Sequence, residues 1–296
     1  MTTTHGSLAE HLHGWAPAPV ETSRVVDPWA VAAFAGVIDA ARPAPGVGDP
    51  LPPLWHWFVL TEHARHAELG PDGHPTTGRF LPPIPARRRM FAGGRLRQHA
   101  PIPVGSRLDG RAGLAAVEVK TGRTGELVFV TTCYELSVDG HPVATEEQDI
   151  VYRSEPAGRP RRPAVSRPAP ADPPFEPTWQ LRLAMDPVLL FRVSALTDNA
   201  HRIHYDRPYA TEVEGYPDLV VHGPLLALLA LELPRVHAPD RLVSAFEYRL
   251  VRPTFVPDPV EAVARVDSGV AELVVGAAGA APSLTGTAQL DPGWTA

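Results

Sequence analysis

After His222-Gly223-Pro224 the chain runs Leu225-Leu226-Ala227-Leu228-Leu229-Ala230-Leu231-Glu232-Leu233, apolar on nearly every side. A helix with this pattern has no solvent face, so other parts of the chain must wrap it. It is too short to cross a membrane, and no stretch of about 18 apolar residues free of charge occurs anywhere. The wrapping material follows directly. Segments with strand character lie near Leu242–Pro253, Pro259–Asp267, Val270–Ala278 and Leu284–Leu290. The first half has the same order. Asp27-Pro28-Trp29 opens a helix, with Asp27 as N-cap and Pro28 at the first position. A second helix is expected over Leu54 to Leu69, then strands near Gly94–His99, Gly110–Thr121, Glu126–Val138 and His141–Arg153. Asp139-Gly140 marks a tight hairpin turn. Helix first and antiparallel strands after, twice over, predicts an α+β fold in which a curled sheet wraps a central helix in each half.

The boundary is expected in the run Ser154 to Pro177, which holds eight prolines and little apolar pattern. Such a segment stays extended on the surface. The chain therefore reads as 1–153, a linker 154–177 and 178–296. The halves also echo each other in sequence. Leu96–Val104 overlays Tyr248–Val256 at a constant offset of 152 residues, with Arg97/Arg249, Pro101/Pro253 and Val104/Val256 identical. Each half also places a helix-like region ahead of its strands.

Chemistry gathers between Ala195 and Leu229. His201 and His204 stand three residues apart in a polar turn that begins at Asn199, and His222 follows eighteen residues later. Histidine is the side chain best suited to move protons near neutral pH. Gly223 then opens the apolar helix, where free backbone N–H groups and the helix dipole can hold developing negative charge. A base beside an oxyanion site suits water addition to, or loss from, a thioester. The H-x-x-H spacing with Asp206 nearby offers zinc as a competing reading. No H-E-x-x-H and no cysteine pair supports it. Arg87, Arg88, Arg89, Arg95 and Arg97 can meet phosphates or a carboxylate, or form a solvated strand edge.

Composition narrows the partners. The formal charge of −6 argues against nucleic acid as a ligand. Cys133 is the single cysteine, so no internal disulfide and no cysteine metal cluster can form. This fits a cytoplasmic, reducing setting, as does an N-terminus without the basic-then-apolar order of a signal peptide. No phosphate-loop glycine pattern and no G-x-S-x-G elbow occurs.

The segment Asn199-Ala200-His201-Arg202-Ile203-His204-Tyr205-Asp206 resembles the D-x-N-P-[LIV]-H-x-D motif of the MaoC-like, or hydratase 2, branch of the hot-dog superfamily. Aligned on its last histidine, His204 falls on the family's catalytic histidine. Asn199 falls where the family carries its catalytic aspartate, and His201 where it carries asparagine. Gly223 matches the helix-start glycine whose amide serves as oxyanion donor. The likeness extends to Pro53–Phe58, Glu68–Pro75, Arg89–Leu96 and Thr145–Arg153, and is closest to the mesaconyl-C4-CoA or 3-methylfumaryl-CoA hydratases. Asp198 departs from that pattern and offers a carboxylate near the site.

The resemblance implies a double hot-dog, with a degenerate N-terminal unit and a catalytic C-terminal one. It implies a hydro-lyase acting reversibly on a 2-enoyl-CoA of a small branched or dicarboxylic acid, with no cofactor beyond the CoA thioester itself. His204, Asn199, His201 and Gly223 would carry catalysis; Arg202, Tyr205, His222 and Arg95 would bind substrate. A homodimer is compatible with it. Two alternatives stay open: a dehydratase of carrier-bound 3-hydroxyacyl chains, and a non-catalytic hot-dog protein that binds acyl thioesters.

Overall fold

The computed structural model describes residues 7–122, 125–154 and 166–293. Much of the proline-rich segment, with Arg159, Arg161 and Arg162, lies outside the described residues. A first turn, α1 (Leu8–His11), and strand β1 (Val20–Val25) lead into helix α2 (Pro28–Val37). Four long strands complete the first half: β2 (Arg87–Gln98), β3 (Arg107–Gly122), β4 (Gly125–Val138) and β5 (His141–Ser154). The second half runs β6 (Trp179–Leu183), α3 (Pro187–Leu196), α4 (Gly223–His237), β7 (Arg241–Leu250), β8 (Val260–Asp267), β9 (Val270–Ala277) and β10 (Leu284–Pro292).

All ten strands form one antiparallel sheet in the order β1-β3-β4-β5-β2-β7-β10-β9-β8-β6. Replacing each strand of the first half by its counterpart in the second reads this order backwards, the mark of a local twofold axis. The axis can be located. β2 and β7 pair antiparallel, with Gly93 opposite Arg249, Arg95 opposite Glu247 and Arg97 opposite Ala245. The offset of 152 residues maps Arg95 onto Glu247, which face each other. The axis therefore passes between them, and the echo read around Arg97 and Arg249 is the symmetry of the fold.

The helices ahead of the strands carry the echo into their caps. The helices α2 and α3 have the same length, each with an Asp-Pro start, and Asp27 and Asp186 cap them. Asp27 Oδ1 accepts from Trp29 N at 2.9 Å, and Asp186 Oδ1 from Leu189 N at 2.7 Å. The chain leaves both helices through an aspartate with positive φ, Asp39 at 48° and Asp198 at 49°. The strands ahead of them, β1 and β6, are the two edges of the sheet.

The halves differ in what fills them. Helix α4 has ten consecutive buried residues, Leu225 to Pro234, and packs on β6, β7, β8 and β9 while reaching β2. Its one buried charge, Glu232, is paired with Arg235, which lies over the ring of Trp55 in the first half. The expected helix over Leu54–Leu69 is not formed. Leu54 sits at φ 67°, and only short 3₁₀ turns appear, at Trp55–Phe58 and His66–Glu68. The cause is visible in the burial. Leu54, Trp55, His56 and Phe58 all point inward, which one helix face does not permit. From Glu62 to Glu68 most side chains are exposed, leaving no apolar stripe to bury. An aromatic cluster takes the place of a long helix, with Phe34 stacked on Phe58 at 4.3 Å and edge-on to Trp55 at 4.9 Å. The buried Glu146 fixes the turn to β5, accepting from Trp57 Nε1 at 2.8 Å and meeting His56 Nε2 at 2.5 Å. Among the described residues, no helix is long and apolar enough to cross a membrane.

These caps can be tested singly. Asp27→Ala and Asp186→Ala are each expected to cost about 1 kcal/mol, read as a lowered urea midpoint at constant slope.

Candidate active site

A cavity of about 1130 Å³ opens at the junction of the halves. β2 and β7 supply its shared wall, and Asn199, His201, His204 and Gly223 all line it. The turn carrying these residues is held on both sides. Asn199 N donates to Ser194 O at the end of α3, and its own Oδ1 accepts from His201 N at 3.1 Å. A single 3₁₀ turn, Arg202–His204, then presents His204 inward. Val220 N donates to Ile203 O, and Val221 N to Thr254 O, so the stretch ahead of α4 is stitched to the same turn.

The tautomer of His204 follows from its partner. Nδ1 lies 2.7 Å from the Val220 carbonyl, which can only accept, so Nδ1 carries the proton and Nε2 keeps its lone pair. Burial pushes the pKa of His204 down to about 4, so the ring is neutral at pH 7. His222 stacks on it, ring centroids 3.7 Å apart. Burial likewise holds His222 well below the ordinary histidine range. His201 meets His204 edge-on at 5.6 Å, and burial with the neighbouring imidazoles lowers its pKa too.

At Gly223 the helix begins, and the first amides of a helix lie outside its ladder. Pro224 has no N–H, so Gly223 supplies the leading donor. The absent side chain keeps that donor approachable: a Cβ there would stand 2.7 Å from Leu250 Cδ1 in the cavity wall.

Two residues that local sequence chemistry did not single out complete the cluster. Asp72 and His74 come from the Gly70–Pro75 loop of the first half and line the same cavity. His74 packs tilted against His201, ring centroids 3.9 Å apart, and Asp72 meets His74 Nδ1 at 3.1 Å. Burial works to raise the Asp72 carboxyl, but hydrogen bonds from His74 outweigh it and hold the group well below the usual range. This loop lies directly against the turn that carries Asn199, His201 and His204. Arg202 N donates to Asp72 O at 2.9 Å, and a Cβ on Gly73, at φ 88°, would lie 1.8 Å from Ala200 O. Only glycine fits that approach. The sole signal in sequence was the family likeness of Glu68–Pro75.

Other expected roles need correction. Arg202 is spent on Asp206 at 2.7 Å and on Pro71 O, outside the cavity lining. Tyr205 is largely exposed and donates to Ala200 O, also outside the lining. His222 is buried beneath His204 and bonded to Ser194 Oγ at 2.9 Å, so it touches the base rather than the cavity. Arg95 does line the cavity, but Glu147 and Asp149 already pair with it. Asp198 meets His63 near the surface and is not part of the wall. As for zinc, Asp206 is paired with Arg202; the three groups that do converge are Asp72, His74 and His201, within 4.8 Å. The Arg89 guanidinium acts on His74 and His201 electrostatically, which opposes a second cation there.

With this geometry in place, comparison with known proteins is decisive for the class. Residues 54–256 match the family described as hydroxyacyl-thioester dehydratase type 2. The chain belongs to that family and is a hydro-lyase, hydratase and dehydratase being the two directions of one reaction. Mesaconyl-C(4)-CoA hydratase of Chloroflexus aurantiacus is 44% identical over 259 residues, 87% of this chain and 90% of that protein. Among solved structures, a MaoC-like dehydratase from Phytophthora capsici superposes with a TM-score of 0.67 at 15% identity, covering 97% of this chain and 99% of that one. HtdX from Mycobacterium tuberculosis gives 0.61 at 18%, covering 91% and 99%. At such identities these two establish the fold, a double hot-dog.

Two outcomes follow. Buried neutral His201, His204 and His222 take up protons on unfolding below about pH 6.5. Their contribution is complete above that pH. It is lost as pH falls toward the folded values, at up to about 1.4 kcal/mol per pH unit for each ring. Guanidinium melts at pH 7.5, 6 and 5 should show this slope, and His204→Gln should flatten it. Gly73→Ala should displace the catalytic turn and lower kcat/KM by about 100-fold.

Proposed function

We propose that the protein reversibly hydrates a 2-enoyl-CoA whose acyl group is a small dicarboxylic acid, as in mesaconyl-C4-CoA. The observation that carries the mechanism is that a neutral His204 with an open Nε2 and the leading amide of α4 at Gly223 line one cavity. The substrate class is supported by the 44% identity to mesaconyl-C(4)-CoA hydratase over most of both chains.

In the hydration direction the thioester oxygen accepts from Gly223 N–H. Asn199 spends its oxygen on the turn, so its side-chain amide is left to donate to the attacking water. His204 Nε2 takes one proton from that water as the hydroxyl adds to Cβ. The C=C electrons move toward the thioester oxygen, where the amide and helix dipole steady the enolate-like charge. The proton then returns from His204 to Cα, and the enzyme is restored. A histidine held at about 4 is a strong acid once protonated, which favours the return. The steps use side chains, one backbone amide and water. The N-terminal unit serves as scaffold and partial wall, the C-terminal unit as carrier of the base.

Loss of enoyl-thioester absorbance is the direct assay, with mesaconyl-C4-CoA, crotonyl-CoA and a long-chain enoyl-CoA in parallel. His204→Ala is expected to lower kcat by roughly 10²–10⁴-fold, with KM far less affected. Preference for the long chain would move the protein to carrier-bound lipid substrates. No turnover of any ester by folded protein would overturn the reading.

A further inference from the structure

A dicarboxylic acyl group brings a second carboxylate into the cavity, and with Arg202 and Tyr205 outside it, some other group must receive that charge. Most cations in or near the wall are already engaged or hydrated. Arg87 does not line it and is tied to the carbonyls of Pro82 and Thr76. Arg88 pairs with Glu214. Arg95 is held by Glu147 and Asp149, and Lys120 by Glu118. Arg249 and Arg252 line the cavity but are exposed, where water already satisfies them.

Arg89 is different. It lines the cavity and is only partly exposed. Among the described residues, no carboxylate lies within ion-pair distance of it. Asp72 acts on it electrostatically, but both oxygens of Asp72 are engaged by His74. Tyr152 stands directly opposite it across the β2–β5 ladder and acts on it electrostatically. Burial works against the guanidinium, pushing its pKa down. A desolvated cation without a counter-ion is costly to keep, and a planar carboxylate is the ligand that fits its fork in two bonds.

Building on the diacid reading above, we propose that Arg89, opposite Tyr152, receives the free carboxylate of the acyl group and so selects dicarboxylic thioesters. Because Arg89 lies within electrostatic reach of His74 and His201, a carboxylate docked on it stands beside the imidazole cluster, and the short acyl chain is drawn toward the base. The same cation rejects long apolar chains, which would bury it against hydrocarbon.

The test is a comparison of kcat/KM for mesaconyl-C4-CoA and crotonyl-CoA in the wild type, Arg89→Met, Arg89→Lys and Tyr152→Phe. Arg89→Met should lose roughly 10- to 150-fold more on the diacid ester than on crotonyl-CoA. Lysine should restore part of that preference, and Tyr152→Phe should weaken it less than Arg89→Met does. Equal losses on both esters would make Arg89 a support for the Asp72 loop and overturn the assignment. Binding of unreactive succinyl-CoA and butyryl-CoA gives a readout without turnover, and on the wild type alone if the variants do not fold. Absence of a succinyl preference overturns the assignment. A preference that Arg89→Met abolishes, in a protein that hydrates neither ester, would keep Arg89 and sink the hydratase mechanism. Diacid turnover indifferent to Arg89 would do the reverse.

Discussion

The pairing of β2 with β7 is the constraint on which the rest depends. Five consecutive residue pairs, from Gly93–Arg249 to Arg97–Ala245, join two half-sheets into one. Because the local twofold axis crosses this ladder at Arg95 and Glu247, each half presents equivalent surfaces to the other. The cavity forms where the symmetry is broken, since only the second half places a long helix beneath its strands. The start of that helix, Gly223, comes within reach of Leu250 on β7 and Phe91 on β2. Without the ladder the leading amide of α4 would face solvent, and burial would no longer hold His204 neutral.

The same break explains what could be read in the sequence and what could not. Helix α4 announced itself, since ten successive buried positions leave an unmistakable apolar run. The Asp-Pro start of α2 and the long strands β3 to β5 were legible for local reasons: a cap, β-branched residues and a hairpin turn. Edge strands β1 and β6 were not. They are short and largely exposed, so they carry little apolar alternation to detect. Leu54–Leu69 misled because its buried residues belong to an aromatic cluster specific to this fold and not to one helix face. At the site, His201, His204, Asn199 and Gly223 lie within one stretch of chain and were found together. Asp72 and His74 are more than 120 positions earlier, and nothing local says that the Gly73 backbone will lie against Ala200. Arg202 and Tyr205 misled for the opposite reason: they neighbour the base in sequence, but their side chains leave on the other side of the turn.

Asn199 in the place of an aspartate gains a physical meaning from this arrangement. A carboxylate at that position would stand among four imidazoles, and its charge would raise their affinity for protons. An amide leaves them as burial sets them, and its oxygen still closes the turn on His201. The carboxylate the cluster does contain is Asp72, reached from the other half and held through His74.

The division of labour between the halves is then electrostatic. In the proposed reaction the second half contributes neutral groups: His204 moves the proton, while the Asn199 amide and the Gly223 N–H donate hydrogen bonds. The first half contributes the fixed charges, Asp72 and Arg89, placed where they act on His74 and His201 without touching the base. An enoyl group bearing its own carboxylate needs such a separation. If the cation that holds the distal carboxylate lay against the base, it would oppose the positive charge that His204 must briefly carry. In the proposed reaction, with the guanidinium on β2 and the base on the turn after α3, the anion is neutralised at one end of the acyl chain while the proton moves at the other.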